Sequence, residues 1–111
     1  MTTNVYELKP SNTRQKSFYG KANVVITECF NDVFYALYSY DTLVASVDVN
    51  VSGAICVRKL WAGYSATTLR HVNELLMQQG FPKLSARAWC AMEVGEWYLP
   101  DEVPALEKSL K

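Results

Sequence analysis

The sequence predicts an α+β domain: a four-stranded antiparallel meander with one main helix packed on one face and a short C-terminal helix. Three observations carry that expectation. Residues 22–60 are rich in β-branched and aromatic side chains and are broken only by short turn signals. Residues 61–81 hold a helix start, an apolar stripe and a helix stop in that order. The chain has 111 residues and is 50% hydrophobic, enough for one domain with a real core and too short for two.

The strands follow from the turns. Ala22 opens the first strand, which runs through Val24, Val25 and Ile26 and ends near Cys29 or Phe30, before a turn at Asn31-Asp32. The second, over residues 33–40, carries Phe34, Tyr35, Tyr38 and Tyr40, with Tyr35 facing away from Tyr38 and Tyr40. After a turn around Asp41, the third alternates Leu43, Ala45, Val47 and Val49 against Ser46 and Asp48. Asn50-Val51-Ser52-Gly53 is a four-residue hairpin connection with Gly at its end. The fourth, over residues 54–60, sets Ile55, Val57 and Lys59 on one face. Such short connections imply antiparallel neighbours. Open edges on the first and fourth strands offer a route to a homodimer.

The main helix is expected over residues 65–80. Ser65, Thr67 and Thr68 are able to cap its first turn, and Leu69, Val72, Leu75, Leu76 and Met77 define its buried side. Gly80 ends it in the left-handed conformation, Phe81 folds back, and Pro82 prevents continuation. One helix across one sheet face is what buries both apolar surfaces in so short a chain. Ser85 caps a second, short helix with Ala88, Trp89 and Met92 inward. Residues 95–100 read as an extended connection, and Asp101 as the cap of a last helical turn with Pro104 near its start. Residues 1–17 read as a partly ordered arm in which Val5, Tyr6 and Leu8 suit a short edge strand.

Composition excludes several classes of function. Lys plus Arg and Asp plus Glu number 11 each, so no overall positive field gathers phosphates and no acidic excess imitates DNA. The charge is uneven: Lys9, Arg14, Lys16 and Lys21 crowd the start, and Glu93, Glu96, Asp101, Glu102 and Glu107 the end. Cys29, Cys56 and Cys90 lack metal or disulfide spacing and read as free thiols, the latter two buried. Neither a signal peptide nor an apolar membrane span is visible, which points to a cytoplasmic protein without a membrane role. No cofactor or metal motif occurs.

His71 is the only histidine, so imidazole chemistry would have to use it. No nucleophile signature accompanies it, and packing is its expected role. Arg70, Asn73 and Glu74 form the helix's polar side, while Tyr64 and Thr67 flank free N–H groups at its start, an arrangement suited to binding. Trp97 and Tyr98, flanked by acids, either tuck under the sheet or anchor a partner. The binding candidates are therefore Tyr64, Thr67, Arg70, His71, Asn73, Glu74, Trp97 and Tyr98, with no catalytic residue among them.

Two stretches go further: Tyr38-Ser39-Tyr40-Asp41-Thr42, and Trp61-Ala62-Gly63-Tyr64-Ser65-Ala66-Thr67-Thr68-Leu69-Arg70-His71-Val72-Asn73-Glu74. They resemble a family of small uncharacterised proteins from bacteriophages and other mobile elements, over roughly residues 6–90. Arg14-Gln15-Lys16-Ser17-Phe18-Tyr19-Gly20-Lys21-Ala22 and Gln79-Gly80-Phe81 fit the same pattern. The resemblance transfers a setting and no activity. It implies an accessory protein in the host cytoplasm that binds a host protein stoichiometrically, such as a Cas nuclease, in the manner of an anti-CRISPR inhibitor. The alternative it leaves is a nucleic-acid-binding regulator using the basic arm with Arg58, Lys59 and Arg70. An enzyme built on His71 is a third reading without a nameable substrate.

Overall fold

The computed structural model describes residues 2–8 and 21–108. The class is α+β, with an antiparallel sheet and helices, but the sheet has six strands rather than four. They are β1 Thr2–Glu7, β2 Ala22–Cys29, β3 Asp32–Ser39, β4 Thr42–Val49, β5 Ile55–Lys59 and β6 Trp97–Tyr98, each paired antiparallel with the next. The helices are α1 Ala66–Gln78, α2 Ala86–Ala91 and α3 Val103–Glu107, with a 3-10 turn at Pro100–Glu102. The expected arm falls mostly outside the described residues, but Thr2–Glu7 within it is a full strand. The expected connection near Trp97 pairs with β5, Tyr98 opposite Val57 and Trp97 opposite Arg58. Both edges expected to be open are thus covered, by β1 on one side and β6 on the other.

The turns explain the meander. Tyr40 and Asp41 make a two-residue link between β3 and β4, both with positive φ (52° and 73°). That is the backbone twist hairpins favour, at a steric cost for a tyrosine. Phe30, with φ 56°, turns β2 into β3 one residue earlier than the expected Asn31-Asp32. In the β4–β5 connection Asn50 Oδ1 accepts from the backbone N–H groups of Ser52 and Ala54, each at 3.0 Å. Gly53 there holds φ 88°, which a side chain would resist.

A register shift between Leu37 and Tyr38 corrects the expected alternation of β4. The extra residue is Val44, which is buried beside Ala45, while Leu43 turns outward and is 36% exposed. Beyond the bulge Val47 and Val49 return to the inner face.

Ser65 caps α1 by accepting from Thr68 N at 3.0 Å. At its other end Gly80 (φ 81°) donates to Met77 O and Phe81 to Leu76 O, so the chain reverses and Phe81 is buried. The inner stripe is Thr68, His71, Val72, Leu75 and Leu76. Met77 lies off that stripe and is 39% exposed, against expectation, because consecutive helical residues point about 100° apart. Ser85 caps α2 through Ala88 N, and Ala88, Trp89 and Met92 are buried as expected. Asp101 caps nothing; Glu102 Oε1 instead accepts from Leu99 N at 2.7 Å.

One core joins the layers. The inner cross-strand row Asn4–Ile26–Tyr35–Val47–Val57–Tyr98 crosses all six strands. Ile26, Tyr35, Val47, Val57 and Tyr98 of that row share a cluster with Val72, Leu75, Leu76, Leu84, Trp89 and Val103 from the helical layer. The link from β5 to α1 is tight: a Cβ on Gly63 would overlap the Trp61 indole, and Gly63 O accepts from Trp89 Nε1 at 2.9 Å.

Candidate recognition surface

The two sequence stretches singled out above meet at the end of the sheet. Ser39 Oγ lies 2.9 Å from His71 Nδ1 and 3.2 Å from Thr68 Oγ1. Ser39 is the last residue of β3, and one helical turn separates Thr68 from His71, so both face the same point. Tyr40 leans over this point, its ring centroid 5.9 Å from that of His71, and Lys21 Nζ sits 5.7 Å from the Tyr40 ring. His71 is 0% exposed and Ser39 2%. A serine beside a histidine suggests acyl transfer, but a nucleophile with no exposed surface meets no substrate. The trio instead fastens α1 to the sheet. Replacing His71 with alanine is expected to cost about 2–4 kcal/mol, from the cavity and the stranded Ser39 hydroxyl. Urea unfolding measures it, and Arg70→Ala, on the exposed side, should stay within about 0.5 kcal/mol of the parent.

The other candidates separate into two groups. Asn73 clamps the α1–α2 connection, donating from Nδ2 to Leu84 O and accepting from Leu84 N at Oδ1, both at 2.8 Å. Glu74 is buried and accepts from Gln78 Nε2 at 3.0 Å. Tyr98 is half-buried against the core, and its hydroxyl accepts from Glu93 N at 2.8 Å. These three, with His71, build the fold. Tyr64, Arg70 and Trp97 are exposed; Thr67 is half-buried and accepts from Arg70. Trp97 lies on the opposite sheet face from Tyr64 and Arg70, so the exposed candidates do not converge.

Sequence reasoning missed the most distinctive surface. The outward cross-strand row Val5–Val25–Ala36–Ser46–Arg58–Trp97 also crosses all six strands, next to Thr3–Thr27–Phe34–Asp48–Cys56. None of the apolar side chains in these rows belongs to the core cluster, which draws the sheet's other side and all three helices together. The sheet is therefore covered on one side only among the described residues. Its other side presents Val25, Phe34, Ala36, Tyr38, Leu43 and Trp97, with Val5 the most exposed of all at 66%. Alternation alone identifies these positions once one inward residue is fixed. What the sequence lacks is the sign that α1, α2 and α3 all pack on the same side.

Charge on this face is sparse and incompletely paired. The Arg58 guanidinium lies 4.5 Å from the Trp97 ring centroid, a cation–π contact between cross-strand neighbours. Arg58 Nε and Asp48 Oδ1 are buried without a hydrogen-bond partner. Burial, and secondarily Asp32, holds the Asp48 carboxyl above the usual carboxylate range. Burial likewise pushes the Cys56 thiol up, with Asp48 adding to the shift. Cys90 is exposed, correcting the expected buried thiol. No group of three metal-ligating side chains occurs among the described residues, and no helix there is long and apolar enough to cross a membrane.

Comparison with known families is decisive on membership. A family of unknown function, DUF8033, matches residues 6–91. The chain belongs to the DUF8033 family. The matched span takes in β2 to β5, α1 and α2, and so includes the Ser39–His71 junction. Trp97, β6 and α3 lie beyond it. No curated protein and no solved structure matches the chain.

Proposed function

We propose that this protein acts by stoichiometric binding to another protein, as a mobile-element accessory factor whose partner is a host defence nuclease of the Cas type. The observation that carries the binding reading is the sheet face left uncovered among the described residues. Val5, Val25, Phe34, Ala36 and Trp97 interleaved with Ser46 and Arg58 mix apolar area with polar groups, as a protein-docking surface does. Trp97, stacked under Arg58, is of the residue type that anchors interfaces.

Binding is favoured over catalysis because the imidazole and its hydroxyl neighbours are enclosed. Protein is favoured over nucleic acid because two of the cations assigned to phosphates are engaged within the fold. Lys59 is 4% exposed and Arg58 lies on Trp97. Lys9, Arg14 and Lys16 of the basic arm lie outside the described residues.

The test is affinity capture against purified Cas nucleases followed by target cleavage with the captured complex. Equimolar protein should block cleavage, and Phe34→Ala with Trp97→Ala should weaken binding by about tenfold or more. Complete cleavage at molar excess removes the nuclease as partner. Retained binding by the double variant removes the sheet face.

A further inference from the structure

We infer that β1 is a homodimerisation edge, through which two copies join their sheets into one. The register with β2 fixes which backbone groups of β1 point outward. Leu8 N donates to Ala22 O at 2.8 Å, and Tyr6 and Asn4 follow in the same phase opposite Val24 and Ile26. Alternation in an antiparallel ladder therefore turns the N–H and C=O of Thr3 and Val5 away from β2. Thr3, Asn4 and Val5 are exposed, Val5 at 66%. The edge is six residues long and its pairing with β2 is continuous.

Strand edges are usually protected by proline, lysine, a bulge or shortness. Thr2–Glu7 has none of these. The opposite edge does: β6 is two residues long and is followed within two positions by Pro100. The asymmetry singles out β1.

A second copy suits this edge better than an unrelated strand because the segment is self-complementary. Antiparallel pairing about a two-fold axis at Asn4 sets Thr3 opposite Val5 of the other copy, and Val5 opposite Thr3. Each of these two pairs exchanges two backbone hydrogen bonds. The apolar Val5 is shielded by a β-compatible threonine. The one charged residue of the strand, Glu7, falls at opposite ends of the ribbon in the two copies, so like charges do not meet. The uncovered rows beginning at Thr3 and Val5 then continue from one copy into the next.

Sedimentation of the full chain from low to high micromolar concentration tests the inference. The parent should approach twice 12.6 kDa at the high end. Val5→Pro removes an outward donor that β2 does not use, and should sediment as a monomer with an unchanged far-UV spectrum. Val5→Lys, which keeps the donor and adds edge charge, should raise the dimer dissociation constant by about tenfold or more. A parent that stays monomeric at every concentration overturns the inference, as does a folded Val5→Lys or Val5→Pro variant that dimerises like the parent. A monomeric parent that loses a foreign partner on Val5→Pro also overturns it, and assigns the edge to that partner's strand.

Discussion

Replacing Trp89 with alanine is expected to destabilise the protein by about 3–5 kcal/mol, a large share of the roughly 5–15 kcal/mol that holds a domain of this size together. Trp89 is 1% exposed and is the largest fully buried side chain. It sits in the six-residue α2, which is too short to persist without tertiary contacts. Its indole performs three tasks at once. It fills the space between α2 and β5, it donates from Nε1 to Gly63 O, and its face lies 4.9 Å from Lys59 Nζ. Truncation leaves a cavity, an unpaired carbonyl in the β5–α1 link and an ammonium without its aromatic neighbour. Trp89→Phe keeps much of the volume and loses the donor, so it should cost about 1–2 kcal/mol. Trp97→Ala, at a 38% exposed site, should cost under about 1 kcal/mol. Urea unfolding followed by far-UV circular dichroism ranks the three. A Trp97→Ala loss equal to that of Trp89→Ala would mean that the outward face is part of the core.

These tryptophans also show which features a sequence exposes. Ser65, Gly80 and Phe81 act on backbone groups a few residues away, so the bounds of α1 are visible in the chain itself. Asn50 and Gly53 do the same for the β4–β5 turn. The Val44 bulge is different: it exists because Leu37 and Tyr38 of another strand impose a register, and no local pattern announces it. Strand β6 is two residues long, below any periodicity, and is defined by its partner β5. The Ser39–His71 contact spans 32 positions, and neither residue type specifies the other. Lys59 did carry a signal. It shares its strand parity with Ile55 and Val57, so an inward lysine, and hence a set of buried acceptors, was implied by alternation. The open sheet face was readable as a set of positions. That α1, α2 and α3 all leave it uncovered was not, because that depends on where each of those elements goes.

Lys59 yields the second large effect, and one with a definite dependence on pH. Its ammonium donates to Trp89 O at 2.8 Å and to Met92 O at 3.4 Å at the end of α2, where Trp89 O also accepts from Met92 N. Lys59→Met keeps most of the stem and removes both bonds, so a loss of about 1–3 kcal/mol is expected at neutral pH. Burial lowers the lysine's pKa from its ordinary 10.5, with the nearby Cys90 opposing the shift. Between the lowered value and 10.5 the unfolded chain binds a proton that the folded chain does not, so stability rises with pH in that interval. The neutral amine still donates to the carbonyls there and no longer bears the cost of a buried charge. The methionine variant has no such group. The stability gap between parent and variant should therefore widen as pH rises from the lowered value towards 10.5, by at most about 1.4 kcal/mol per pH unit. Tyr6, whose pKa burial raises above 10.0, works in the opposite direction and only above that value, and it is common to both proteins. Chemical unfolding of the pair at several pH values measures the gap directly. A gap that stays constant or narrows would mean that Lys59 holds its charge no less easily in the fold than in water.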